Sequence, residues 1–89
     1  MPLAKEPNSQ VWYQDRSFNV RWVKSSNVDW VGWPETGEPL MLVKYKGDGI
    51  YGYIGVSRQR AVAAAVYPST GEYINRIIKP HYEVVRIAG

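Results

Sequence analysis

The stretch Leu40–Ile54 constrains the fold of this chain more than any other. Leu40-Met41-Leu42-Val43-Lys44-Tyr45 is apolar enough for a central strand. Lys46-Gly47-Asp48-Gly49 is a tight turn, since glycines take positive φ at little cost. Ile50-Tyr51-Gly52-Tyr53-Ile54 returns, with Tyr51 and Tyr53 on one face and Ile50, Gly52 and Ile54 on the other. Such a hairpin needs one buried face, which the two large tyrosines can supply.

The flanking segments extend this pattern. Ser17–Val23 alternates, with Phe18, Val20 and Trp22 on one face of a strand. Lys24-Ser25-Ser26-Asn27 interrupts it, and Val28–Trp33 resumes the extended pattern until Pro34. Residues 34–39, with two prolines and a glycine, form a turn. After Ile54 the period changes. Ser57 caps a helix through Ala61–Val66, whose inner face is read from Val62 and Val66, with Arg58 and Arg60 near the outer face. Pro68 ends it, and Ser69-Thr70-Gly71-Glu72 has the capping-box spacing of a second helix. The pairs Tyr73/Ile77 and Ile74/Ile78 carry that helix to Pro80. Tyr82–Ile87 is extended again, as an added edge strand.

The expectation is an α+β fold: a small antiparallel β-sheet of three to four strands packed against two short helices. Residues 1–10 read as a flexible N-terminal tail, because Pro2, Pro7 and their polar neighbours oppose regular structure. Residues 11–89 read as one domain with an aromatic-rich N-terminal extension.

Several classes of chemistry find no support in these residues. Without cysteine there is no disulfide or thiolate chemistry, and nothing points to secretion. One histidine, His81, cannot build the usual zinc site, and Asp48 lacks the spaced acidic partners of a calcium loop. His81 could serve Ser69 or Ser25 in nucleophilic chemistry, but Ser69 already has a role as a helix cap. There is no nucleophile elbow and no P-loop. No run approaches the roughly 18 apolar residues of a membrane span, and the first residues lack a signal-peptide core. A cytoplasmic, non-catalytic protein without cofactor or metal is therefore expected.

Charge and aromatic content point toward binding. Residues 1–38 carry four cationic against five acidic side chains, whereas residues 39–89 carry seven against three. That asymmetry suits an anionic partner. Four tryptophans and seven tyrosines accompany a single phenylalanine. Both ring types combine an apolar face with a polar handle, which suits stacking sites and interfaces.

An ordered set of segments resembles the KTSC domain family. The set comprises Val23–Val28, Val31-Gly32-Trp33, Tyr51-Gly52-Tyr53-Ile54-Gly55-Val56, and Ser69-Thr70-Gly71-Glu72-Tyr73-Ile74-Asn75-Arg76-Ile77-Ile78 followed by Tyr82. It spans about residues 20–88, and Tyr51 and Tyr53 match the central Y-x-Y signature. The chain departs from the family pattern at Trp33-Pro34, where an aromatic followed by aspartate is common. Members occur as small bacterial and phage proteins and at the C-terminus of some lysyl-tRNA synthetases, and that company implies RNA binding. Carried over by position, the resemblance implies Ser25, Ser26, Tyr51, Tyr53, Ser69, Gly71, Tyr73 and Asn75 as functional residues.

The resulting expectation is a module that binds nucleic acid, RNA above all, or a nucleotide-like ligand. Tyr51 and Tyr53 would stack on bases. Lys24, Arg58, Arg60, Arg76 and Lys79 would meet phosphates, while Ser25, Ser26 and Asn75 would hydrogen-bond. In a second version the ligand is one nucleotide signal, held near Ser57 or Ser69 against Tyr51 or Tyr73 and sequestered, as a phage-encoded copy would do. The competing class is a protein-interaction or self-assembly module. There Trp12, Trp22, Trp30 and Trp33, too many for so small a core, would favour a homo-oligomer.

Overall fold

Alternating apolar residues over the first half of the chain pair strand after strand into one meander. In a computed structural model of the chain, the described residues are 9–88. The order is β1 (Ser9–Tyr13), β2 (Arg16–Trp22), β3 (Val28–Pro34), β4 (Leu40–Tyr45), β5 (Ile50–Ile54), α1 (Arg58–Val66), α2 (Thr70–Tyr73) with a π-turn continuation (Ile74–Ile78), and β6 (Glu83–Ala88). All six strands form one antiparallel sheet in chain order.

The α+β class stands, but the expectation of three to four strands is too low. Five of the six strands fall on the extended segments of the sequence, all of which pair into the one sheet. The strand with no expected segment is β1, which begins at Ser9 inside the segment read as a tail. Residues 1–8 of that segment lie outside the described residues. Gln14 and Asp15 turn β1 into β2 with φ of 55° and 60°. That two-residue geometry matches the twist of the strands it joins, yet here it carries no glycine to mark it.

Paired residues share a face, so the register separates two cores. On one face Val31, Met41, Val43 and Tyr53 pack against Ala61, Ala64 and Ala65 of α1 and against Ile74 and Ile78. Val28 joins them although it lies three residues before Val31, because a bulge at Val28–Trp30 sets an extra residue of β3 against β4. The inner face of α1 is alanine, and this corrects the reading from Val62 and Val66: Val66 is exposed. Small side chains let the helix lie close to the sheet, so the branched residues turn outward.

On the other face Phe18, Val20, Trp30, Leu40 and Leu42 form a second core. Val11 and Tyr13 of β1 and Ile87 of β6 pack against these same five residues, so the sheet curls until its two ends approach one core. Gly52 permits the closest part of that curl. A Cβ there would fall 2.8 Å from Ile87 Cδ1 and 3.2 Å from Leu40 Cδ1. Arg16 clasps the β3–β4 turn by donating from Nη2 to the carbonyl oxygens of Thr36 and Glu38.

Candidate functional site

The β2–β3 loop is built from short polar side chains that hydrogen-bond their own backbone, the usual way such residues turn a chain. Ser25 Oγ accepts from the backbone N–H groups of Asn27 (3.3 Å) and Val28 (3.2 Å). The hydroxyls of Ser25 and Ser26 both donate to Asn27 Oδ1, at 3.3 and 3.2 Å. The loop is tied to the β4–β5 turn by the bond from Lys46 N–H to Asn27 C=O.

Facing this loop is the start of α2. Ser69 Oγ accepts from the Glu72 N–H at 3.4 Å, as the capping spacing requires. Thr70, buried, donates from Oγ1 to the Ala64 carbonyl at 2.9 Å and fastens α2 to α1. Gly71 lets the two parts meet, since a Cβ there would lie 3.0 Å from Asn27 Oδ1 and 3.6 Å from Ser25 Oγ. The helix then widens into the π-turn, with Lys79 N–H bonded to Ile74 C=O at 2.8 Å. Such turns recur at functional sites.

Between loop and helix lies a polar cleft of about 580 Å³. Lys24, Ser25, Ser26 and Asn27 line one wall, and Ser69, Gly71, Glu72, Asn75 and Arg76 the other, with Pro68 at the end. Lys24, Ser26, Asn75 and Arg76 are exposed, and Arg76 Nε lies 3.4 Å from Glu72 Oε2 one helical turn away. Two cations, several hydroxyls and amides and one carboxylate thus face a single space. That set can hold an oxyanion beside a polyol.

The remaining candidates lie elsewhere. Tyr53 is 2% exposed, so its ring belongs to the core and offers no face to a base. Its hydroxyl lies 2.8 Å from that of Tyr45. Burial above all, then the hydrogen bond with Tyr53, holds the Tyr45 hydroxyl far above the ordinary tyrosine range. Burial likewise raises Tyr53, against the smaller opposing effect of its bond with Tyr45. Tyr51 is half-buried, edge-on to Tyr45 with ring centroids 5.5 Å apart, under the Arg86 guanidinium at 5.6 Å, and its hydroxyl donates to Asp48 at 3.3 Å. Lys79 sits 5.7 Å from the Tyr45 ring centre and belongs to this tyrosine corner.

Arg58 and Arg60 open α1, away from the cleft, and Arg60 lines a separate depression with Ile77, His81 and Tyr82. His81 therefore does not share a cavity with Ser25 or Ser69. Ser57 caps α1 through the Arg60 N–H, and Tyr73 packs against Tyr67 with centroids 5.2 Å apart. Of the residues read from the sequence, Lys24, Ser25, Ser26, Ser69, Gly71, Asn75 and Arg76 come together. Asn27, Glu72 and Pro68 are added by the structure. Asn27 was detectable as the end of a Ser-Ser-Asn turn sequence, whereas Glu72 was read only as a cap partner.

The KTSC domain family profile matches residues 24–82. The chain belongs to the KTSC domain family. Every cleft residue lies within the matched span. The crystal structure of a KTSC domain protein from Yersinia pestis superposes with a TM-score of 0.71 at 20% sequence identity, over 79% of this chain and 97% of that one. At that identity the likeness concerns the fold. No curated protein matches the chain. Among the described residues no helix is long and apolar enough to cross a membrane, and no three His, Cys, Asp or Glu side chains group as metal ligands.

Proposed function

We propose that this KTSC chain is a non-catalytic binding module that grips nucleic acid, RNA in preference to DNA, by one nucleotide unit in the polar cleft. The observation that carries the reading is the convergence of Lys24, Ser25, Ser26, Ser69, Asn75 and Arg76 on one space. Lys24 and Arg76 meet the phosphate. The serine hydroxyls and the Asn75 amide suit ribose oxygens, and a 2′-hydroxyl adds a donor and an acceptor that DNA lacks. Glu72 beside Arg76 limits how much anionic charge the cleft tolerates, which favours one unit over a long phosphate track. A free nucleotide signal held for sequestration is the same chemistry at its smallest. The non-catalytic part of the reading is supported by His81 lining a depression separate from the cleft that holds the serines.

Titration with a short single-stranded RNA at rising salt tests this reading. Two cations displacing counterions from a single strand give a log–log slope of about −1.4. Binding that is flat across the salt range, or absent, rejects it.

A second reading, self-assembly, is favoured by one observation: Trp12 is 73% exposed on edge strand β1, with Trp22 at 43% on β2. It requires sedimentation to report a mass that rises with concentration and falls back for Trp12→Ser. A monomer at every concentration rejects it.

A further inference from the structure

If one nucleotide unit occupies the cleft, its base needs an aromatic surface, and Tyr51 and Tyr53 are at the other corner of the fold. We propose that Tyr67, backed by Tyr73, is the shelf on which the base of a cleft-bound nucleotide stacks. The inference rests on the cleft reading above and adds to it the surface that meets the base, which a bare oxyanion would not use.

Four observations carry it. Tyr67 directly precedes Pro68 and Ser69, both of which line the cleft, so its Cα is one residue from the wall. It is 47% exposed although it is a large aromatic ring. Its ring leans on Tyr73 at 5.2 Å with a 56° tilt, so one side is held while the ring remains accessible. Tyr73 in turn donates its backbone N–H to the carbonyl of Ser69, a cleft residue, at 3.0 Å. Neither ring lines the cleft itself, so the tyrosine pair lies just beyond its rim, next to Pro68 and Ser69 at the α1–α2 connection. A phosphate at Lys24 and Arg76 leaves the sugar over the serines and Asn75 and directs the base to this edge. Stacking there is tolerant of base identity, because every base has a π-face.

The test compares inorganic phosphate with adenosine and uridine monophosphates, titrated into the wild-type protein, Tyr67→Ala, Tyr67→Phe and Lys24→Ala. Affinities come from calorimetry, and the Tyr67 ring protons are followed by NMR. The proposal expects the wild type to bind adenosine monophosphate about tenfold more tightly than phosphate, within the range base stacking supplies. It expects ring-current shifts at Tyr67 in the wild type. Tyr67→Ala brings the nucleotide down to the affinity of phosphate without changing phosphate itself, and Tyr67→Phe restores the advantage. A nucleotide that binds no better than phosphate, or an advantage that survives Tyr67→Ala, overturns the shelf. If phosphate binding nonetheless falls in Lys24→Ala, the cleft reading stands without it. No binding of any of the three ligands overturns both.

Discussion

The polar cleft and the tyrosine corner both carry residues of the family signature, and the fold uses them in opposite ways. In the corner, Tyr53 is buried and its hydroxyl meets that of Tyr45, while Tyr51 is engaged by Tyr45, Asp48 and Arg86. In the cleft, the side-chain bonds of Ser25, Ser26 and Asn27 stay within their own loop, and Lys24 and Asn75 are exposed along its walls. The corner holds the sheet to the helices; the cleft has capacity left for a ligand. One signature therefore contains two kinds of residue, those packed into the tyrosine corner and those that line an open cleft.

The comparison breaks first at Tyr53. Tyr53→Ala empties a core position, and large aromatic to alanine changes cost about 3–5 kcal/mol. Denaturant melts should register that loss, and a Tyr53 variant of near wild-type stability would move the corner into the functional class. Gly52→Val drives a side chain into Ile87 and Leu40, an overpacking that costs about 1–3 kcal/mol in the same melts. A smaller loss separates Ser25 from its neighbours. Ser25→Ala removes the acceptor of two backbone N–H groups, for about 0.5–2 kcal/mol by analogy with capping serines. Because the loop forms a cleft wall, ligand affinity should fall as well.

Tyr45→Phe sharpens the corner's side by pH. Both hydroxyls have raised pKa values in the folded state, so the folded protein holds these protons more tightly than the unfolded chain. Their contribution is fully present below the ordinary tyrosine value of 10.0 and is lost as pH rises above it. Melting temperature should therefore drop through the alkaline range in the wild type and drop less in Tyr45→Phe. At neutral pH the variant should lose about 1 kcal/mol, one net hydrogen bond. Least disturbing to the fold is Gly71→Ala. Its helix-propensity gain of up to about 1 kcal/mol offsets the crowding of Asn27, so stability should change little while ligand affinity drops. An unchanged affinity would mean that the close approach of loop and helix serves packing alone.

Much of this architecture was legible in the residues, and the gaps have identifiable causes. The 40–54 hairpin, the caps at Ser57 and Ser69 and the final edge strand follow from local rules, because turn glycines and capping serines act over a few residues. β1 escaped because Gln14 and Asp15 take positive φ without a glycine. Val66 misled because spacing reports a helix face but not how closely that face approaches a sheet. The Arg16 clasp on the β3–β4 turn joins segments far apart in sequence and has no local signature. The cleft divides the same way. Ser25, Ser26, Ser69, Gly71 and Asn75 were named by the family resemblance, but their meeting depends on how α2 docks against the β2–β3 loop. The stacking role first read for Tyr53 depended on exposure, which alternation along a strand does not reveal.

The central claim is that the cleft, not the tyrosine corner, receives the ligand, and amide NMR of the wild-type protein titrated with a short single-stranded RNA tests it most directly. The account predicts shifts that saturate at Lys24–Asn27 and Ser69–Arg76 and leave Tyr45, Tyr51 and Tyr53 in place. Shifts centred on the tyrosine corner with a silent cleft would contradict it.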